Sequence, residues 1–328
     1  MTIQEIAKLA GVSSAAVSRY FNNGYISEEK REAIDKVVKE TGYSPSPSAR
    51  TLRTKQSKTI GVILPTLDSW TMGRIVSGIM QILDENGYQL LLAHTGKKQD
   101  RELEYITMFG RQQVDGILLL GTEYTGKHKE RIRASKVPIV IVGQNFKGCH
   151  CIYHDDYQAE YEMTKRLIQL GRSHIGFIGV TFEDPAVGKS RYLGWQDALS
   201  AHHHPHCLDY YILADFSIQS GYEKMKELYQ KYPNLDAVVC ATDHIAVGAL
   251  HYLKEQNIPV PERILLTGQG DSELASVISP SITTIHYYYK TSGKLAAEMV
   301  LKLIAGEQIP VKSIKLSYEI LEKDSTKI

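Results

Sequence analysis

Residues 2–22 of this 328-residue chain constrain its fold more than any other stretch. Thr2, followed three residues later by Glu5, forms a capping box, and Ile3, Ile6, Ala7 and Ala10 recur at helical spacing as one apolar stripe. Gly11 supplies the left-handed residue that ends such a helix, and Ser13 caps a second one whose inward positions are Val17 and Phe21. Ala7 and Gly11 are small where two helices cross closely, as in a helix-turn-helix. The outer face of the second helix is left with Ser14, Ala15, Ser18, Arg19 and Asn22. A helix with so small and polar a surface fits the major groove of DNA.

An ordinary helical hairpin on an enzyme shares part of this pattern. Here a third helix follows instead of a sheet. Ser27 is placed to cap it, Glu28 and Glu29 suit its positive end, Ile34, Val37 and Val38 supply a buried face, and Gly42 closes it. Residues 1–43 are therefore expected to form a three-helix DNA-binding domain. Charge agrees: residues 1–58 carry ten Lys and Arg against six Asp and Glu, whereas the whole chain has a net charge of only +1. A basic head on a mildly acidic body suits a head that meets phosphates.

Residues 44–58 hold Pro45 and Pro47 among serines and lack an apolar face, which marks a linker. Within it Ser48, Ala49, Arg50, Thr51, Leu52 and Arg53 can form one or two helical turns started by Pro47. So short a helix is unstable alone but can form when docked on DNA. Arg50 and Arg53 would then meet phosphates while Leu52 wedges into the minor groove. The expected DNA-facing set is Thr2, Ser13, Ser14, Ala15, Ser18, Arg19, Asn22, Tyr25, Ser48, Ala49, Leu52 and Arg53.

From Thr59 onward apolar runs of strand length alternate with helical patterns. Runs at 59–64, 88–94, 115–121, 138–143, 175–179, 211–214, 237–241 and 264–268 read as buried strands. Helical patterns at 74–86, 101–112, 159–170, 191–201, 221–232 and 246–256 lie among them. The alternation predicts an α/β body of parallel sheets covered on both faces. About ten strands are too many for one compact sheet, so two lobes with a ligand between them are expected.

Ligands of parallel sheets sit beyond the carboxyl ends of the strands. Those ends give Asp68, Trp70, Met72, His94, Gln144, Asp155, Arg191, Phe216, Asp243 and Asp271. Carboxylates and arginine make paired hydrogen bonds to adjacent hydroxyls, and Trp70 or Phe216 can pack on a sugar ring. Each has a structural alternative: a helix cap for Asp243 and Asp271, lobe core for Trp70 and Phe216. No Walker loop, nucleophile elbow or dinucleotide fingerprint follows the first strand, so no enzyme activity, catalytic residue or cofactor is expected.

Three adjacent histidines at 202–204 cannot all face one ion, and a strand separates His150 from Cys149 and Cys151, so no metal site is expected. The four cysteines show no disulfide framework. No run approaches a membrane span or a signal peptide, and a cytoplasmic protein is expected.

The chain resembles the lactose/galactose repressor (LacI/GalR) family of bacterial transcription regulators over nearly its whole length. The resemblance rests on Ile6-Ala-Lys-Leu-Ala-Gly-Val-Ser13, Val17-Ser-Arg19, the linker Tyr43-Ser-Pro-Ser-Pro-Ser-Ala-Arg-Thr-Leu52, Gly61-Val-Ile-Leu-Pro65, Arg191-Tyr-Leu-Gly-Trp195, Asp215-Phe216, Ala241-Thr-Asp243 and Ala246-Val-Gly-Ala249. It implies a homodimer on a palindromic operator, controlled by a sugar or sugar-phosphate effector held between two lobes like those of periplasmic sugar-binding proteins. Carried over by position, Ser14 and Ala15 start the base-reading helix, Leu52 is the minor-groove leucine, Arg191 the effector-binding arginine and Phe216 the ring-stacking aromatic.

The implied lobes are 59–157 with 288–316, and 158–287 with 317–328. One departure stands out: family members carry Gly-aromatic-Asp-Asp where this chain reads Gly268-Gln-Gly-Asp271, so Gly270 replaces the first effector-contacting Asp. That run, and Tyr287-Tyr-Tyr-Lys-Thr-Ser292, resemble sucrose-operon repressors of Gram-positive bacteria. Alternative readings are a global catabolite regulator governed by a phosphoprotein partner and, from another class, a sugar-binding transport protein.

Overall fold

The computed structural model describes residues 1–22, 24–44, 56–111, 114–121 and 123–327. They form two compact units, Met1–Lys58 and Thr59–Ile328. The first contains α1 (Ile3–Leu9), α2 (Ser14–Phe21) and α3 (Glu28–Thr41). Its core is small: Ile6, Ala7, Ala16, Val17, Ile34 and Val37. Thr2 and Glu5 make the reciprocal cap, Thr2 N donating to Glu5 Oε2 at 2.8 Å and Glu5 N to Thr2 Oγ1 at 3.3 Å. Gly11 and Gly42 adopt φ of 67° and 62°, the left-handed geometry that stops a helix. Ser27 corrects one expectation: it stands at the N-cap of α3, but its side chain makes no capping hydrogen bond.

The second unit holds β1 (Thr59–Leu64), α4 (Trp70–Glu85), β2 (Gln89–His94), α5 (Gln99–Phe109), β3 (Gly116–Leu119), α6 (Gly126–Ala134), β4 (Ile139–Val142) and β5 (His150–His154). There follow α7 (Asp156–Gln169), β6 (Ile175–Gly179), α8 (Arg191–Ala201), β7 (Tyr211–Leu213), α9 (Ile218–Lys231), β8 (Ala237–Cys240), α10 (Asp243–Glu255) and β9 (Leu265–Gln269). The unit ends with α11 (Glu273–Val277), β10 (Thr283–Tyr287), α12 (Tyr289–Ile304), β11 (Ser313–Leu316) and β12 (Tyr318–Leu321).

These strands make two six-stranded sheets, ordered β11-β5-β4-β3-β1-β2 and β12-β10-β9-β8-β6-β7. The first is parallel throughout, and in the second only β12 runs antiparallel. The chain passes between the sheets three times, at Asp155, Tyr288 and Ser317. Central strands β3, β4, β8 and β9 are buried along their whole length, as helices on both faces require.

The expectation of buried strands at 88–94 and 211–214 is corrected, because β2 and β7 are edge strands. In β2 exposed Gln89, Leu91 and His94 alternate with more covered neighbours. Helices cross closely at glycines: a Cβ on Gly78 of α4 would lie 2.0 Å from Lys290 O, and one on Gly293 of α12 2.1 Å from Ile75 O. Among the described residues no helix is long and apolar enough to cross a membrane.

Candidate functional site

On the head, α2 is fixed from behind and open in front. Val17 is fully buried, and Tyr20 Oη donates to Asp35 Oδ1 of α3 at 2.7 Å. Asp35 also pairs with Lys39 at 2.6 Å, and these two partners, Lys39 first, hold its carboxyl below the usual carboxylate range. Sequence reasoning missed this lock, whose only signal was a tyrosine on the half-buried side of α2. Ser13 accepts from Ala16 N at 3.2 Å and so aims the first turn of α2. Ser14, Ala15, Arg19 and Asn22 are exposed, Ser18 is half-buried, and Tyr25 is 92% exposed. Thr2 is exposed, with its hydroxyl and its N–H both engaged by Glu5. Ser48, Ala49, Leu52 and Arg53 lie outside the described residues.

In the core, the carboxyl ends of the strands bring charged groups from both lobes to one seam. Gln144, after β4, donates through Nε2 to Asp184 Oδ1 at 2.8 Å, and Asp184 also accepts from Val187 N at 3.0 Å. Burial pushes the Asp184 carboxyl up, and these donors oppose the rise. Arg191, 3% exposed at the start of α8, donates through Nε and Nη2 to Asp156 Oδ1 at 2.8 and 2.6 Å and through Nη1 to Ala241 O. Its guanidinium lies 5.0 Å from the centre of the Tyr287 ring.

Tyr289, at the head of α12, is buried beside Arg191 and Thr71 of α4; burial, first, raises its phenol, and the Arg191 charge opposes the rise. Phe216 is half-buried on the second lobe's core, and Lys97 Nζ, from the loop after β2, stands 5.2 Å from its ring centre. Beneath the seam Tyr287 Oη donates to Gln269 Oε1 at 2.7 Å, while Gln269 Nε2 donates to Glu160, which also accepts from Thr164 at 2.7 Å. Glu160 is fully buried, and desolvation raises its carboxyl to about 8.

The structure thus gathers three sequence-predicted residues, Gln144, Arg191 and Phe216, at the seam. Sequence reasoning missed Asp156, Asp184, Lys97, Tyr287 and Tyr289. Asp156 and Tyr289 begin helices directly after lobe crossings, a signal that could have found them.

Trp70 and Asp271 line a cleft of about 440 Å3 with Arg74, His286 and Lys290, and because Tyr287 and Tyr289 line it too, this cleft between the lobes adjoins the seam. There Arg74 lies 5.6 Å from the Trp70 ring centre, and Asp271 binds His286 Nδ1 at 3.0 Å and Lys323 Nζ at 3.1 Å. Asp243 is 1% exposed and turned into its own lobe, accepting from Ser272 N at 2.7 Å and Thr284 Oγ1 at 2.6 Å. Thr242, not Asp243, caps α10. Asp155 caps α7 and pairs with Lys315 at 2.5 Å. Met72 packs on the first lobe's core, and Asp68 and His94 are exposed. Among the described residues no three His, Cys, Asp or Glu side chains converge to hold a metal ion.

Gly270 has φ of 127°, and a Cβ there would lie 3.6 Å from Asp243 Oδ2. A side chain at this position is strained whatever the space around it.

Comparison with known proteins agrees with this architecture. Residues 2–46 match the bacterial regulatory proteins of the lacI family, and residues 164–326 a periplasmic binding protein-like domain. The sucrose operon repressor of Staphylococcus xylosus is 36% identical over 312 residues, covering 95% of this chain and 96% of that protein. The transcriptional regulator CelR in its cellobiose complex superposes with a TM-score of 0.77 at 26% identity, over 99% of both chains. The lac repressor dimer bound to operator and the anti-inducer ONPF, at 22% identity and TM-score 0.91 over 99% of both chains, shows the same fold. This chain belongs to the LacI family of bacterial regulatory proteins and is a DNA-binding transcription regulator, not an enzyme.

Proposed function

We propose that this protein is the cytoplasmic repressor of a sucrose-utilisation operon, holding a palindromic operator as a homodimer and reading a sugar at the interlobe seam. The observation that carries this reading is the 36% identity to a sucrose operon repressor over 95% of the chain. Ser14, Ala15, Arg19 and Asn22 present α2 to base edges, with Ser13, Ser18, Thr2 and Tyr25 around it. From the linker, Leu52 wedges into the minor groove and Arg53 meets phosphates, with Ser48 and Ala49 in the same DNA-facing set.

The seam supplies what a polyhydroxylated ring demands: two carboxylates, one guanidinium, one ammonium, one amide and a half-buried aromatic. Arg191 is already paired with Asp156, and the Asp184 carboxylate stands close to the lobe junction. With the buried Arg191 committed to Asp156, an uncharged sugar fits the buried part of the seam better than a sugar phosphate, whose dianion would have to be met by exposed Lys97. Edge strands β2 and β7 leave Leu91 44% and Leu213 49% exposed, apolar edges that a second subunit covers. A ligand that favours one lobe arrangement shifts operator affinity by its preference for that arrangement.

The test is a thermal-shift panel of sucrose, other disaccharides, monosaccharides and their 6-phosphates, followed by a gel shift with the operator. Sucrose, or its hydrolysis product fructose, should raise the melting point and change operator affinity. A response confined to phosphorylated sugars overturns the uncharged-ligand reading. A response to none of them, with operator binding controlled by a phosphoprotein, establishes the catabolite regulator instead.

A further inference from the structure

The first lobe carries a second concavity that shares no residue with the seam. It holds about 240 Å3 between α6, the start of β4 and the connection from β4 to β5. Its floor is apolar: the Tyr124 ring stacks on Phe146 at 4.1 Å with 16° between planes, and Ile132 and Val137 complete the wall. Its rim is cationic. Lys129, Arg133 and Lys147 line it, all exposed, and no carboxylate does.

The rim belongs to a wider basic block. Residues 126–150 hold six Lys and Arg against one carboxylate, in a chain whose net charge is only +1. None of those six takes part in an ion pair among the described residues. Cations left unneutralised around an apolar hollow are costly through mutual repulsion, and an anion with a carbon body relieves that cost. Tyr124 and Cys149 both line the hollow, with the Tyr124 hydroxyl 3.5 Å from Cys149 Sγ. Burial, first, and the thiol beside it push the Tyr124 phenol up to about 12, so it stays a neutral donor.

We propose that this groove is a binding site for a small organic phosphate ester, its phosphate held by Lys129, Arg133 and Lys147 and its carbon body lying against Tyr124, Ile132 and Val137. Three point charges at one rim suit a dianion better than a single carboxylate does. A hollow of this size selects a small molecule over a polynucleotide, which needs an open track. The site is independent of the sugar reading of the seam, and it would let one subunit register a phosphorylated metabolite as well.

Cys149 provides a local reporter, because it is half-buried whereas Cys151, Cys207 and Cys240 are buried. The experiment measures the rate at which iodoacetamide alkylates Cys149 in the full chain, by peptide mass spectrometry at constant ionic strength, with phenyl phosphate as probe. Saturable slowing of alkylation at Cys149 is expected. Its half-effect concentration should rise about tenfold in Lys129→Ala and in Arg133→Ala, each removing one charge-assisted partner. Both residues are exposed, so both variants fold.

The proposal is overturned if phenyl phosphate leaves the rate unchanged, or if sodium sulfate slows it equally. It is overturned too if the substitutions do not move the half-effect concentration. Protection by inorganic phosphate at the same concentration overturns the carbon-body contact. Protection by a non-operator DNA duplex alone makes the block a nucleic-acid surface instead.

Discussion

Gln144 Nε2 lies 2.8 Å from Asp184 Oδ1, so a side chain from one lobe satisfies a buried carboxylate of the other. Gln144 is 5% and Asp184 6% exposed, which leaves little water to replace the bond if it breaks. Asp184 Oδ1 keeps its bonds from Ala186 N and Val187 N without Gln144, so what is lost is one buried hydrogen bond to a carboxylate. Gln144→Ala should therefore lower core stability by about 1–3 kcal/mol and loosen the lobes. Urea unfolding followed by fluorescence measures the first effect, and a changed sugar affinity in calorimetry the second. An unchanged midpoint and an unchanged affinity together would show that this contact does not join the lobes energetically.

Arg191 is held by Asp156 on one side and the Ala241 carbonyl on the other, with almost no exposure. Removing one member of a buried ion pair strands the other. Arg191→Ala is expected to cost about 3–5 kcal/mol, whereas a double replacement of Arg191 and Asp156 by Met and Leu should cost far less. Both should lose the sugar response. Retained response in a gel shift by the folded double variant would remove Arg191 from the ligand site.

Glu160 makes stability depend on pH. Its folded carboxyl titrates near 8 against an ordinary 4.5, because burial disfavours the charged form. A folded value above the unfolded one means that stability is fully present below about 4.5 and is lost as pH rises through about 8. Glu160→Gln cannot ionise, so its advantage over the parent should grow by about 3 kcal/mol between pH 5 and pH 8. Urea midpoints of the two proteins across that range check the sign. A constant difference would mean that Glu160 is charged in the fold.

Much of this architecture was legible in residue patterns, for physical reasons. Helix ends announce themselves locally, so Thr2 with Glu5, Gly11 and Gly42 marked the head before any tertiary contact was known. Buried strands such as β3 and β8 are unbroken apolar runs. Edge strands were misread, because Leu90-Leu91-Leu92 in β2 is as apolar as a central strand although only one face is covered.

Site residues were legible only where the ligand-facing end of a strand coincided with a distinctive side chain, as at Arg191 and Gln144. Asp243 has the same sequence signature, but pairing with Ser272 and Thr284, neighbours set by the fold, turns it inward. Asp156 and Tyr289 matter because lobe crossings bring them to Arg191, and Asp184 because the fold sets it against Gln144 of the other lobe; no local pattern encodes those meetings.

Gly270 and Asp271 have φ of 127° and 48°, so two successive residues leave the usual backbone regions where β9 ends. Asp271 tolerates its geometry through ties to His286 and Lys323. Gly270 is tolerated because it lacks a Cβ. Restoring the family's carboxylate with Gly270→Asp should cost about 1–3 kcal/mol from backbone strain alone, and it sets a second carboxylate beside Asp243. Calorimetric melting of the variant measures the cost. A melting point equal to the parent's would show that the loop relaxes freely.

The head and the core each have their own buried cluster, and among the described residues the head's contains six buried apolar side chains. So small a core has little margin. Val17 lies at its centre, fully buried on the inner face of α2. Val17→Ala should cost about 1–3 kcal/mol, enough to populate unfolded heads at growth temperature. Operator binding in a gel shift should then fall sharply, while sugar binding measured by calorimetry on the same preparation stays at the parent value. Equal losses of both would show that the two units fold as one. Loss of operator binding alone would show that α2 reads DNA only while the three-helix packing behind it holds its exposed face in place.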